Sequence, residues 1–350
     1  MELSPMRIAV HGASGFTGSL VVAELVRRDL TPVLVGRDPD RLRRIADQAA
    51  IPDAEIHLAH LDDTAALTAA FAGTDAVINA AGPFTLWGEP VVRAAIAARR
   101  PYLDTTGEPA YLHKILSTYD EPAKQAGIAV VPAVTDDGVP GDLIAALTAA
   151  RLTRPVSEVV IADLRRPGAA SRGTARSMAA IMVDEQIEYR SGSWQSVQEP
   201  SSTMLEPGET APVPMSPIAL PGVYTIPRHV QTPHVRGVIR GEVGDLFAAL
   251  NSEVAETLPE VPDPAALDAA RWFMLAEATS ADGRRARGWV TGFNAYASTA
   301  VIAVEAARRL VADGAPAGTL APAQAFDAAS FLDHLATTGV TWQVEELAAV

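Results

Sequence analysis

The first 135 residues alternate short runs that are apolar along their whole length with segments of helical periodicity, and no other feature of the chain limits its fold so sharply. Arg7–His11, Pro32–Val35, Glu55–Ala59, Ala76–Ala80, Tyr102–Asp104 and Ile128–Ala133 read as strands. Thr17–Arg28, a segment from Pro39, Ala65–Phe71, Glu89–Ala98 and Ala110–Gln125 read as the helices between them. A strand that is apolar on both faces must be covered on both, and helices returning the chain to one parallel sheet do this. The alternation therefore predicts an α/β, doubly wound parallel sheet over residues 1–135.

The texture changes after Val134. Val156–Leu164 reads as a strand, Thr174–Glu185 and Asp245–Leu258 as helices, and Trp272–Ala278 with Arg285–Thr291 as paired strands joined by the turn Asp282-Gly283. Pro200–Pro233 holds eight prolines and little periodicity, so an irregular excursion is expected there. Residues 136–293 are thus read as a second, α+β domain. Tyr296–Leu310 and Ala323–Thr337 are helical in pattern, and 294–350 is read as C-terminal helices that pack back on the first domain.

The end of the first strand carries the most specific local pattern. His11-Gly12-Ala13-Ser14-Gly15-Phe16-Thr17-Gly18 leads from strand to helix as G-x-x-G-x-x-G. Gly12 permits a sharp turn, Gly15 lets the backbone approach a pyrophosphate, and Gly18 allows close contact of helix and strand. The free N–H groups of the helix start face the anion. This is a Rossmann-type dinucleotide site, with Gly12, Ala13, Ser14, Gly15, Phe16, Thr17 and Gly18 as its cofactor-binding residues. His11 either meets the cofactor or packs at the strand end, the commoner role.

An NAD-preferring site of this kind places a carboxylate about 20 residues beyond the turn. Here the second strand ends Val35-Gly36-Arg37-Asp38-Pro39. Gly36 stands where that carboxylate is expected, and Arg37 offers a planar fork to a 2′-phosphate. Asp38 has two readings, ribose ligand or N-cap followed by proline at N1. NADP(H) is the expected cofactor. The fourth strand ends Asn79-Ala80-Ala81-Gly82-Pro83-Phe84 and the fifth Asp104-Thr105-Thr106-Gly107-Glu108, both at carboxyl ends, where ligands lie in such sheets. Asn79, Ala81, Gly82 and Pro83 are accordingly placed beside the nicotinamide half, and Trp87 either walls a pocket or covers core.

Composition removes several chemistries and partners. The 28 basic residues face 42 acidic ones, a formal net charge of -14, which repels nucleic acid and anionic membranes and leaves a small molecule as the expected partner. With no cysteine there is no disulfide, thiolate nucleophile or cysteine-bound metal. Met1–Arg7 runs into a strand without a leader pattern, and no apolar run reaches the roughly 20 residues a membrane span needs, so the cytoplasm is expected. The only lysines are Lys114 and Lys124. Positions 110 and 120 are Ala and Asp, so the tyrosine-lysine pair of short-chain dehydrogenases is absent. His57 and His60 lack an acidic partner in a metal-ligand pattern, and no metal site is expected. Hydride transfer positioned by shape remains, with the proton coming from water or an isolated acid.

The combination of Gly12–Gly18, Asn79–Phe84, Tyr102-Leu-Asp-Thr-Thr-Gly-Glu108 and Gly138-Val-Pro-Gly-Asp142 resembles the saccharopine dehydrogenase-like oxidoreductases, trans-acting enoyl reductases among them. Tyr296, Thr299-Ala300 and Gly339-Val-Thr-Trp342 look similar to the tail of that family. The resemblance implies NADP(H) and reduction of a C=C or C=N bond. It departs at Thr135-Asp136-Asp137-Gly138, where the family has a longer lead, and at Ser171-Arg-Gly-Thr174, where one glycine of a Gly-Gly-Thr segment is replaced.

Three residues are catalytic candidates, each with a structural alternative: Asp142 as acid or helix N-cap, Thr174 as substrate contact or helix start, Tyr296 as proton donor or packing. The function expected is NADPH-dependent reduction of an enoyl-type C=C bond in secondary metabolism. Two alternatives stay open. Imine reduction would require an anion pocket, for which Arg165, Arg166, Arg172 and Arg176 are candidates, and a redox sensor would bind NADP without turnover. A homodimer is compatible with either enzymatic reading.

Overall fold

A computed structural model describes residues 5–181, 186–198 and 202–347. In chain order the first part comprises β1 (Arg7–His11), α1 (Phe16–Arg27), β2 (Thr31–Gly36), α2 (Pro39–Gln48), β3 (Ile56–Leu58), α3 (Thr64–Ala72), β4 (Ala76–Asn79), α4 (Phe84–Ala98), β5 (Tyr102–Asp104), α5 (Pro109–Thr118), α6 (Asp120–Ala126) and β6 (Ala129–Val131). There follow α7 (Gly138–Ala149), β7 (Val156–Asp163), α8 (Arg172–Ile181), β8 (Ile187–Arg190), β9 (Ser193–Ser196), β10 (Ser202–Met204), β11 (Val213–Pro217), α9 (Gly222–Thr225), β12 (His234–Arg240), α10 (Gly241–Ala248), α11 (Ser252–Thr257) and α12 (Pro264–Ala269). The last elements are β13 (Arg271–Ser280), β14 (Arg285–Phe293), α13 (Ala295–Ala312), β15 (Gly318–Thr319), α14 (Pro322–Ala325), α15 (Ala328–Ala336) and β16 (Thr341–Leu347).

The chain divides into two compact units, Met1–Thr135 with Tyr296–Leu320, and Asp136–Ala295 with Ala321–Val350. The stretch 294–350, read from sequence as one run of helices, is thus shared out: α13 and β15 go to the first unit, α14, α15 and β16 to the second.

In the first unit seven parallel strands run in the order β15-β6-β5-β4-β1-β2-β3. The order is that of a doubly wound sheet, whose direction of winding reverses between β1 and β4. Ile8, Ala9, Val10, Val33, Leu34, Val35, Val77, Ile78 and Leu103 are fully buried, as strands covered on both faces require. Helix α1 turns Val21, Val22 and Leu25 into this core, each side chain contributing roughly 1.5–3 kcal/mol of hydrophobic stabilisation.

Three expectations in this unit need correction. The fourth helix begins at Phe84 rather than Glu89, because its N-terminus receives a distant cap that local sequence does not show. The segment Ala110–Gln125 is two helices, broken at Tyr119. The strand β15 carries only two residues, too short for a periodic signal.

The second unit is built on a nine-stranded mixed sheet with a path β10-β11-β12-β7-β13-β14-β16 and the hairpin β8–β9 attached to β12. The proline-rich stretch 200–233 is not wholly irregular: it supplies β10 and β11, with Met215 opposite Arg240 in register. Pro212, Pro214 and Pro217 interrupt the alternation by which these strands would be read. Asp245–Leu258 is divided between α10 and α11, with Asn251 capping the second through the N–H of Val254, and Ala323–Thr337 between α14 and α15. The expected helix Thr174–Glu185 is described as Arg172–Ile181, its last four residues lying outside the described ones. Among the described residues no helix is long and apolar enough to cross a membrane.

Candidate functional site

At the carboxyl end of β1 the glycine turn meets the turn that follows β4. Gly12 has φ +77°, and a Cβ there would lie 2.8 Å from the Cβ of Ala81 and 3.0 Å from its nitrogen. Only glycine lets these two turns touch. A Cβ on Gly18 would come within 2.1 Å of the Gly12 carbonyl oxygen, so α1 packs against β1 with no room for a side chain. The Gly12 N–H donates to Val35 O at 3.0 Å, which fixes the turn to the end of β2. Gly15 is the N-cap of α1 and brings no side-chain cap to it. The helix therefore opens on backbone N–H groups that no side chain of its own cap engages, the arrangement a pyrophosphate needs. Gly12, Ala13, Ser14, Gly15, Phe16, Thr17 and Gly18 form this turn and helix start, and of Asn79, Ala81, Gly82 and Pro83 at the end of β4 and beyond it, Ala81 meets the turn at Gly12.

At the end of β2 Arg37 is exposed. Asp38 is an N-cap: its carboxylate accepts the N–H groups of Asp40 and Arg41, each at 3.0 Å, with Pro39 at the first helical position. The hydrogen bond from the Arg41 N–H holds this carboxyl below its usual range. Arg41, not singled out from the sequence, reaches back to the glycine turn, where its Nη2 donates to Ser14 O at 3.1 Å.

Buried polar groups tie the carboxyl ends of β1 and β4 to β5. Asn79 accepts the Ala81 N–H at 3.2 Å through Oδ1, and a backbone N–H can only donate, so the amide orientation is fixed. His11 Nδ1 lies 2.9 Å from that same oxygen and therefore carries the proton. Burial lowers the pKa of His11 against this hydrogen bond, leaving it neutral. Asn79 Nδ2 in turn donates to the Tyr102 hydroxyl at 3.0 Å, and Tyr102 pairs with the Tyr111 hydroxyl at 3.0 Å. His11 is thus a packed member of a buried network.

Asp104 closes the next two turns. Its Oδ1 accepts Thr106 N–H at 3.2 Å and Ala133 N–H at 3.1 Å, and Ala133 is held at φ +59°. Its Oδ2 is buried with no hydrogen-bond partner among the described residues. Burial pushes the carboxyl up to about 6, against the hydrogen bonds from Ala133 and Thr106. Glu108, also buried, accepts the N–H groups of Phe84 at 2.8 Å and Thr85 at 2.7 Å, capping α4 across 24 residues of sequence. Gly88 in α4 leaves space for the Tyr111 ring, 2.4 Å from where its Cβ would stand. Trp87, on the same helix, is half-buried.

The three catalytic candidates are divided between the two units. Tyr296 lies in the first unit, its ring 5.0 Å from that of Phe16 in the glycine turn. Asp142 lies in the second, fully buried, with Oδ1 2.8 Å from His229 Nε2 and Oδ2 accepting Ala323 N–H at 2.8 Å. It does not cap its own helix, as the alternative reading held, but the start of α14. Burial lowers the His229 pKa, and the charge and hydrogen bond of Asp142 outweigh that and raise it. Thr174 sits in the first turn of α8, where its N–H and hydroxyl both meet Ser171 Oγ at 3.2 Å.

The four arginines considered for an anion pocket are all matched by carboxylates. Arg165 pairs with Asp163 and Asp136, Arg166 with Glu209, Arg172 with Glu260 and Arg176 with Glu256. Among the described residues no group of histidine and acidic side chains could hold a metal ion.

Comparison with known proteins bears on the first unit above all. Residues 8–131 match the family model described as the saccharopine dehydrogenase NADP binding domain. A lipid droplet localized protein of Caenorhabditis elegans is 34% identical over 151 residues, which cover 40% of this chain and 35% of that protein. A trans-acting enoyl reductase of Mycobacterium ulcerans is 31% identical over 140 residues, 39% of this chain and 34% of that protein. The matched part thus spans about a third of the length of these relatives. Among solved structures, apo saccharopine dehydrogenase of Saccharomyces cerevisiae aligns over 98% of this chain and 100% of its own, with a TM-score of 0.64 at 15% identity, a likeness of fold alone.

Proposed function

We propose that this chain, whose residues 8–131 match the family model described as the saccharopine dehydrogenase NADP binding domain, is an NADPH-dependent oxidoreductase that reduces an enoyl-type C=C bond of a small molecule. The observation that carries the reading is the start of α1, to which its N-cap Gly15 brings no side-chain cap, beside the Gly12 turn pressed against Ala81 where the sheet's winding reverses. A pyrophosphate there takes its hydrogen bonds from backbone, and the dipole of α1 favours its charge.

NADPH, when bound, supplies the hydride. Gly12, Gly15 and Gly18 hold the backbone open for it, Arg37 discriminates at the 2′-phosphate, and the turns tied by Asn79, Asp104 and Glu108 position its nicotinamide half. The proton comes from water. Asp142 has both oxygens engaged and Thr174 is bound to Ser171. Tyr296 stands at the phosphate turn and packs on Phe16.

C=C reduction is favoured over imine reduction on two grounds. The enoyl reductase of M. ulcerans is among the relatives, and the arginines that an anionic imine adduct would need are spent on carboxylates. The acidic, cysteine-free composition supports a cytoplasmic setting. Stopped-flow absorbance at 340 nm, with the protein loaded with NADPH and mixed with a panel of enones and imines, tests the proposal. Oxidation by an enone is expected. Oxidation by imines alone would reassign the reaction, and tight binding with no oxidation by any acceptor would leave a redox sensor.

A further inference from the structure

The turn after β1 and the end of β2 are joined by the hydrogen bond from Gly12 N–H to Val35 O, so whatever spans one from the other crosses a fixed distance. The adenosine ribose makes that crossing when the pyrophosphate lies on the turn. The strand end carries Arg37, exposed to solvent. A second guanidinium reaches the turn from α2. Arg41 is in the first turn of α2, fixed there because the Asp38 carboxylate accepts its N–H, and its half-buried side chain runs back to donate from Nη2 to Ser14 O at 3.1 Å. Placing positive charge on a carbonyl of the turn offsets the partial negative charge that oxygen would show to an incoming phosphate. It also orders the planar fork before any ligand arrives, reducing what binding must immobilise.

We propose that Arg41 reads the 2′-phosphate of NADP(H) jointly with Arg37 and so sets the preference over NAD(H). The assignment rests on the reading of this site as NADP(H)-binding. It names a residue four positions beyond the one expected from spacing, selected because the N-cap at Asp38 turns α2 so that its first-turn side chain faces the glycine turn.

The test is calorimetric titration of the full chain with 2′,5′-ADP and 5′-AMP, which differ only in the phosphate at issue, alongside NADP⁺. Arg41→Ala is expected to weaken 2′,5′-ADP on the order of tenfold or more and to leave 5′-AMP unchanged, with a thermal midpoint equal to that of the unaltered chain. Arg41→Lys keeps the charge without the fork and is expected to fall between. The double variant Arg37→Ala/Arg41→Ala is expected to lose a different amount from the product of the single losses, because both act on one phosphate. Equal weakening of both probes by Arg41→Ala would show that the residue only props the turn, and weakening of neither would remove it from the site. Absence of NADP⁺ binding to the unaltered chain would instead overturn the cofactor reading itself, an outcome distinct from lost discrimination in the variant.

Discussion

A carboxyl group buried at the end of a strand is unfavourable when ionised, and Asp104 is fully buried with one oxygen unpartnered. Its pKa stands at about 6 in the folded chain against an ordinary 3.8. The folded state therefore holds this proton more tightly than the unfolded chain does. Stabilisation from Asp104 is complete below about pH 4 and disappears as pH rises through 6, a swing of roughly 2–3 kcal/mol. Asp104→Asn cannot ionise and still offers an oxygen to the N–H groups of Thr106 and Ala133. Its stability relative to the unaltered chain is expected to improve by about 2 kcal/mol between pH 4.5 and pH 8, as read by urea denaturation at each pH. A difference that does not change with pH would show that Asp104 does not titrate in this range.

Between elements, a buried polar link in the first unit joins α1 to α13. Glu305, fully buried, pairs with Arg308 and Arg309 on its own helix and with Arg28 at the end of α1, at 2.8 Å. Arg28 also pairs with Glu24. Burial works against ionisation of Glu24, but hydrogen bonds from Arg27 and Arg28 hold its carboxyl below the usual range. Removing one member of a buried cluster leaves the others desolvated without a partner. Glu305→Ala is expected to destabilise the chain by about 3 kcal/mol in denaturant unfolding, and a loss under about 1 kcal/mol would mean that solvent reaches the cluster. Such links explain what sequence could and could not show. The glycine turn is legible because its three glycines stand at fixed spacing between a strand and a helix, although the contact of Gly12 with Ala81 is not recorded locally, and Asp38 is legible as a cap because Pro39 follows it. The cap that Glu108 gives to α4, the tie from Asp104 to Ala133 and the pairing of Arg28 with Glu305 join residues 24 to 277 positions apart. No local pattern records them. Strands β10 and β11 were hidden by prolines, and Arg41 by its resemblance to any arginine on an amphipathic helix.

For the molecule as a whole, the parallel unit is the part where sequence, fold and relatives agree, and the dinucleotide turn is the part on which a function depends. The second unit shares its fold with a saccharopine dehydrogenase at an identity too low to carry chemistry across, and its buried Asp142–His229 pair holds α7 to the segment around His229. Gly15 offers the most direct test of the central claim. Its φ of -81° suits any residue, and an added Cβ would lie 3.3 Å from Gly12 O, a contact relieved by a shift of a few tenths of an ångström, while a Gly15→Val side chain covers the N–H groups at the start of α1. Calorimetric titration with NADPH is expected to show binding by the unaltered chain and its loss in a Gly15→Val variant of unchanged thermal midpoint. Undiminished NADPH affinity in that variant would contradict the account.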